Sequence, residues 1–235
     1  MTYTSESHTH LSPVAPATAD GPDLTMYALI HRALRRGADR IAHATAELVE
    51  RPDPARAKAL ERWYRGYLAE LHSHHDIEDE IFFPVLLRRS AAMRELETRV
   101  ESEHGMLLEC MHQLQGELRT VAERPSDLGA RRAAAATAHD LAVLMHAHLD
   151  VEDTRVFPII TETITGPEYD ELEVQARKHG SMSTMAFALP FSVECADPDE
   201  LAHLREMAGA PLKVLLALSS GRYRRRTRAA FGQDG

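Results

Sequence analysis

The stretch HSHHDIEDEIFFPVL, residues 72–86, lies without a gap over HAHLDVEDTRVFPII, residues 146–160. The offset is 74 residues throughout, and seven positions are identical: His72/His146, His74/His148, Asp76/Asp150, Glu78/Glu152, Asp79/Asp153, Phe83/Phe157 and Pro84/Pro158. Both copies sit in segments whose apolar residues recur every three or four positions, the period of one helix face. Two copies of one helix imply an internal repeat, so the rest of the chain can be sought in the same register.

Working outward, Tyr27, Ile30, His31, Leu34, Ala38 and Ile41 mark a helix from about Leu24 to Glu50, ended by Pro52 and Pro54. The first copy belongs to a second helix, from Leu60 through Tyr64, Tyr67, Leu71, His74, Glu78 and Ile81 to Val85. A third carries Val100, His104, Leu107, Met111, Leu114 and Leu118 and stops before Pro125. The fourth, with the second copy, stops near Gly166-Pro167. His31 and His104 are 73 residues apart, so the first helix stands to the third as the second stands to the fourth. No stretch alternates with period two. The expectation is all-α: an up-down-up-down antiparallel four-helix bundle over residues 24–165. Residues 1–23, rich in Ser, Thr, Pro and Ala and containing His8 and His10, read as a flexible leader. Residues 166–235 read as a C-terminal helical extension. Its segments are Glu168 to Leu189, broken by Pro190, then Pro198 to Met207 and Pro211 to Ser219, with a solvated basic tail holding five arginines between Arg222 and Arg228. His179 is expected at the surface.

Composition narrows the function. The chain has 235 residues with 27 basic and 36 acidic side chains, a net charge of −9, which argues against a general nucleic-acid binder. No apolar run approaches the ~18–20 residues of a membrane span, and no secretory signal is visible. Two cysteines make no disulfide framework, so a reducing, cytoplasmic setting is expected. Fourteen histidines in one chain point to the chemistry.

Helix geometry selects among them. With Leu71 at zero and about 100° per residue, His74 and Glu78 fall at about 300° and 340°, inside the apolar stripe, whereas His72 and Asp76 fall at about 100° and 140°, opposite it. His75 lies on the flank, and Leu149 replaces it in the second copy, so it is set aside. His148, Glu152, His31 and His104 fall within the stripes of their own helices. Six polar residues thus point inward: His31, His74, Glu78, His104, His148 and Glu152. Left unpaired in a core, such groups cost several kcal/mol each (about 2–7 for a neutral group). A pair of metal ions satisfies all six, each ion taking two imidazoles and sharing both carboxylates. Mixed imidazole and carboxylate donors suit iron, or manganese, better than a structural zinc site. Tyr67, two turns before His74, and Tyr27, one turn before His31, share those stripes. Each is either a core tyrosine with its hydroxyl satisfied locally or a residue that presents its hydroxyl to the metals, even in the place of a fifth imidazole, and Tyr67 is taken as the candidate site residue.

At these residues the sequence resembles the hemerythrin-like (HHE cation-binding) family. That family has a His on the first helix, HxxxE on the second, a His on the third and HxxxE on the fourth, met here by His31, His74–Glu78, His104 and His148–Glu152. The resemblance implies an oxo- or hydroxo-bridged non-haem di-iron centre inside the bundle. Oxygen carriers of the family have HxxxH on the third helix, but Leu108 stands four residues after His104 here. Their fourth helix supplies an Asp five residues after its His; here Glu152 is the expected ligand, although Asp153 occupies that place. A site poorer in imidazole and richer in carboxylate favours the ferric state. Turnover of hydrogen peroxide or oxygen is therefore expected, with binding or sensing of oxygen, nitric oxide or iron as the alternative and a purely structural metal pair last.

Overall fold

The computed structural model describes residues 21–179 and 182–232. The expectations placed on His8, His10 and residues 1–20 of the leader lie outside them, as does the side chain of His179. Among the described residues every regular element is helical. The long elements are α1 (Thr25–Glu50), α2 (Pro54–Ile77) running on through a π turn (Glu78–Phe82) into α3 (Phe83–Arg89), α4 (Ala91–Glu123), and α5 (Leu128–Val151) with its own π turn (Glu152–Val156) and α6 (Phe157–Thr163). The extension adds α7 (Gly166–His179), α8 (Met182–Val193), α9 (Pro198–Met207) and α10 (Ala210–Phe231). No helix among the described residues is long and apolar enough to cross a membrane.

Most starts are written locally. Asp53 accepts from the N–H groups of Ala55 and Arg56, with Pro54 as the first helical residue of α2. Ser90 and Asp127 cap α4 and α5 in the same way, and Asp197 forms a capping box with Glu200 at α9. The π turns also have a local cause. Pro84 and Pro158 have no N–H for the fourth residue before them, and their rings press on that residue's carbonyl. The helix widens instead, so Phe83 N–H reaches the Glu78 carbonyl and Phe157 N–H reaches that of Glu152.

Helices α1 and α4 both pack on α5, and α2 packs on α4 and α1. Their buried apolar residues form two clusters, one around Leu34, Trp63, Leu114 and Leu141, the other around Tyr27, Phe82, Val100 and Val156. Along α1 and α4 the second cluster comes first in sequence; along α2 and α5 it comes last. On all four helices the inward polar residues fall between the two.

The extension is docked on this body. Helix α8 packs on α2 and α1, and α10 packs on α2 and α8. Trp63, fully buried, donates its indole N–H to Thr227 Oγ1 at 3.1 Å and meets the rings of Phe187, Phe191 and Phe231. Two expectations are corrected. The arginine run is no tail: it is one exposed face of α10, whose other face buries Tyr223, Thr227 and Ala230. Pro190 does not break its segment either, since α8 runs through it to Val193; a proline one turn from a helix end removes a single backbone bond. Gly66 on α2 makes the α8 contact possible, because a Cβ there would stand 2.5 Å from the Phe187 ring. Gly66→Ala is therefore expected to destabilise despite its better helix propensity: about 1–3 kcal/mol of overpacking outweighs a gain of up to about 1 kcal/mol. Thermal unfolding should show the midpoint falling by several degrees; a rise would contradict the docking.

Candidate metal centre

The six residues singled out by helix phase come together. His31, His74, Glu78 and Glu152 place one donor atom each within 4.8 Å of one another. His104 and His148 form a second group with a residue that sequence phase set aside, His75. Its ring stacks on that of His104 at 4.0 Å between centroids and lies edge-on to His148 at 5.4 Å. The reason is that α2 is covered on two sides, by α1 and by α4, so its buried face is wider than one stripe. His75 sits beside Tyr64 and Leu68, both buried. Its counterpart Leu149 is buried too, so the repeat hides a break in symmetry.

The two carboxylates span both groups. Glu78 turns Oε1 to His74 Nε2 (3.1 Å) and His31 Nε2 (4.0 Å), and Oε2 to His104 Nε2 (3.6 Å). Glu152 turns Oε2 to His31 Nε2 (3.4 Å), and Oε1 to His148 Nε2 (3.4 Å) and His104 Nε2 (3.7 Å). All five Nε2 atoms, both oxygens of Glu152 and Glu78 Oε2 are buried without a hydrogen-bond partner. So many orphaned donors and acceptors facing one point are what a cation site looks like before its cation is added.

The outer nitrogens are held. Asp153 accepts from His31 Nδ1 at 2.7 Å and is itself braced by Arg35, also at 2.7 Å. Asp79 accepts from His104 Nδ1 at 3.1 Å, and Glu103 from His148 Nδ1 at 3.2 Å. A carboxylate on the far nitrogen fixes the tautomer that leaves Nε2 free for a metal. Asp79 and Asp153 are identical in the repeat, so the sequence carried a signal for them; nothing marked Glu103. The π turns contribute here, since they carry Glu78 inward while Asp79, the next residue, reaches sideways to α4, and likewise Glu152 and Asp153 toward α1.

Of the two tyrosines, Tyr27 reaches the cluster and Tyr67 does not. Tyr27 donates to Glu78 Oε1 at 2.5 Å and packs edge-on against His31 and His74. Tyr67, expected as a site residue, donates instead to the Leu34 carbonyl at 2.9 Å and stacks on Trp63. It lies a full two turns before His74 in the apolar cluster, where its hydroxyl meets the backbone of α1. The fifth imidazole gathered at the cluster is that of His75. His72 and His146 face away: His72 meets His112, and His146 pairs with Asp39 at 3.0 Å.

Electrostatics follow from the acid content. Burial opposes charge on His31, but its hydrogen bond to Asp153 and the charge of Glu152 outweigh it and lift the imidazole to about 9. His104 is lifted to about 10 against burial by Asp79 and Glu152. His74 is pushed down to about 4, chiefly by burial, and His75 falls well below its usual value through burial and the neighbouring His104 and His74. Without metal the cluster thus answers its carboxylates with protons on His31 and His104.

Taken together, fold and site define a helical protein whose core can hold cations between imidazoles and shared carboxylates. The chain belongs to the hemerythrin family: the family's HHE cation binding domain matches residues 24–160, more than half of its length. No curated protein and no solved structure matches the chain.

Two outcomes are expected. His75→Ala should lower the metal content of the purified protein by at least one ion per chain, while His72→Ala leaves it unchanged; equal effects would remove His75 from the centre. The protons on His31 and His104 compete with metal below about 9 and 10. Uptake of Mn2+ at pH 7 should therefore release protons, and affinity should rise with pH by about tenfold per unit for each proton displaced. An indicator dye in weak buffer measures the release; none at pH 7 would contradict the assignment.

Proposed function

We propose that the cluster is an oxo- or hydroxo-bridged non-haem di-iron site that reacts with hydrogen peroxide or oxygen. On this reading His31 and His74 hold one ion, His75, His104 and His148 the other, and Glu78 and Glu152 are shared. The observation that carries it is the set of five Nε2 atoms and three carboxylate oxygens orphaned around one point. Imidazole with carboxylate oxygen, and no thiolate, suits iron, with manganese next. The alternation of the two apolar clusters along successive helices supports the up-down-up-down topology expected of such a bundle.

Iron in such a donor set supplies ferrous–ferric redox chemistry toward peroxide and oxygen. The chain supplies the rest. Its two groups are unequal, with three imidazoles on one side and two on the other, so a small ligand has room at the His31/His74 side. Tyr27 stands there and keeps a proton at Glu78 Oε1. Burial, with the charges of Glu78 and Glu152, holds that hydroxyl well above its ordinary range, so it stays a donor. The apolar clusters above and below cover the cluster on those two sides.

His75 gives weight to a second reading. It restores the imidazole missing from the third helix, and five imidazoles with two carboxylates suit reversible binding of oxygen or nitric oxide as well as turnover. Peroxide consumption by iron-loaded protein, measured against the same concentration of free iron, separates the two. The expected result is turnover above free iron, slowed about tenfold or more by Glu152→Gln, which keeps shape and one oxygen donor but removes a negative charge. A tenfold loss corresponds to about 1.4 kcal/mol of barrier. Repeated uptake and release of oxygen by the ferrous protein, without turnover, would give the binding reading instead.

A further inference from the structure

The repeat is broken on one side of the cluster, and a cavity occupies the break. At the His148 side Glu103 covers the imidazole; its counterpart 73 residues earlier is Ile30, which leaves His74 without a carboxylate. The space beside His74 is a cavity of about 230 Å³ between α1, α2 and the extension helices α7, α8 and α10. Tyr27, Ile30, Phe82 and Leu189 make its wall mainly apolar, and His74 and Glu78 stand in it, so a molecule inside lies next to the metal cluster.

Glu70, one turn before His74, also lines this cavity. Its residue exposure is 6%, and among the described residues its carboxyl makes no hydrogen bond or ion pair. Its counterpart in the repeat is Leu144, so bundle packing alone does not call for an acid there. Among the described residues the Nδ1 of His74 has no hydrogen-bond partner either, whereas those of His31, His104 and His148 are held by Asp153, Asp79 and Glu103. The cavity therefore offers an acceptor on Glu70 and a ring nitrogen on His74 inside apolar walls. Of the other two acids of the wall, Glu78 accepts from Tyr27 and Glu173 is paired with Arg177 at 3.1 Å.

We propose that this cavity binds a small apolar alcohol or phenol, its hydroxyl answering Glu70 and its hydrocarbon part filling the space between bundle and extension. A hydroxyl both donates and accepts, so it can satisfy a carboxylate and an imidazole N–H together; an ammonium has no lone pair for the imidazole, and a hydrocarbon serves neither. The size fits, since a cavity of about 150 Å³ is enough for benzene. Binding stands on the cavity alone; only the corollary that such a molecule is a substrate rests on the di-iron reading.

Calorimetric titration of the full metal-loaded chain with benzyl alcohol, toluene and benzylamine tests it. Benzyl alcohol is expected to bind saturably, one per chain, about tenfold tighter than toluene and tighter than benzylamine. Glu70→Leu should erase the preference over toluene, while Glu70→Gln, which still accepts a hydrogen bond, should retain most of it. Ala188→Trp, filling the cavity from α8, should abolish binding of all three while leaving metal content unchanged. Absence of saturable binding, a preference indifferent to Glu70→Leu, or tighter binding of benzylamine would overturn the proposal. None of these readouts involves turnover, so their failure is distinct from a failure to consume peroxide.

Discussion

The structure turns on the burial of five imidazoles and two carboxylates in the middle of an apolar core. Each orphaned polar atom costs roughly 1–3 kcal/mol if nothing answers it. Eight of them amount to the order of ten kcal/mol or more, comparable with the entire net stability of a domain. A core cannot carry that without a counter-charge. Without metal, protons on His31 and His104 serve; with metal, the cations do. The surrounding architecture, two apolar clusters with the polar layer between them, confines that exchange of charge to one level of the core.

Positioning is shared among elements that do not touch in sequence. Glu78 and Glu152 each turn one oxygen to either group, which requires their helices to face each other across the bundle. Asp79 and Asp153, each one residue further, hold a histidine on a neighbouring helix. Both functions come from one local device, the π turn imposed by the proline that follows, which sets two consecutive acids pointing in different directions. The device appears twice because the sequence is duplicated, and both times it joins a helix of the repeat to the histidine of its neighbour.

The extension changes what the bundle can do. Trp63 and Gly66 on α2 are shaped for α8 and α10, the indole through its bond to Thr227 and the glycine through its room for Phe187. Docked there, the extra helices close one wall beside His74 and leave the opposite side of the cluster to Glu103. The polar layer is therefore nearly symmetric in its carboxylates and unsymmetric in its imidazoles and its surroundings.

By itself the sequence determined the helical class, the repeat and six inward polar residues, because periodicity and an exact offset are properties of neighbouring residues; the caps at Asp53, Ser90 and Asp127 are equally local, although only the structure shows them in use. It also held the repeated Asp79 and Asp153, the unabsorbed part of the same signal. His75 was not legible, since its burial depends on α4 covering a second side of α2, and a single-helix phase has no knowledge of a second neighbour. Tyr67 was misplaced for the converse reason: it shares the stripe of His74, but its hydroxyl met the Leu34 carbonyl across the helix pair before it could reach the cluster. The arginine run of α10 looked like a tail because charge dominates its composition; only contact with α2 and α8 shows that every third or fourth residue of it is buried. Local order was written in the chain, and the second neighbour of each helix was decided by packing.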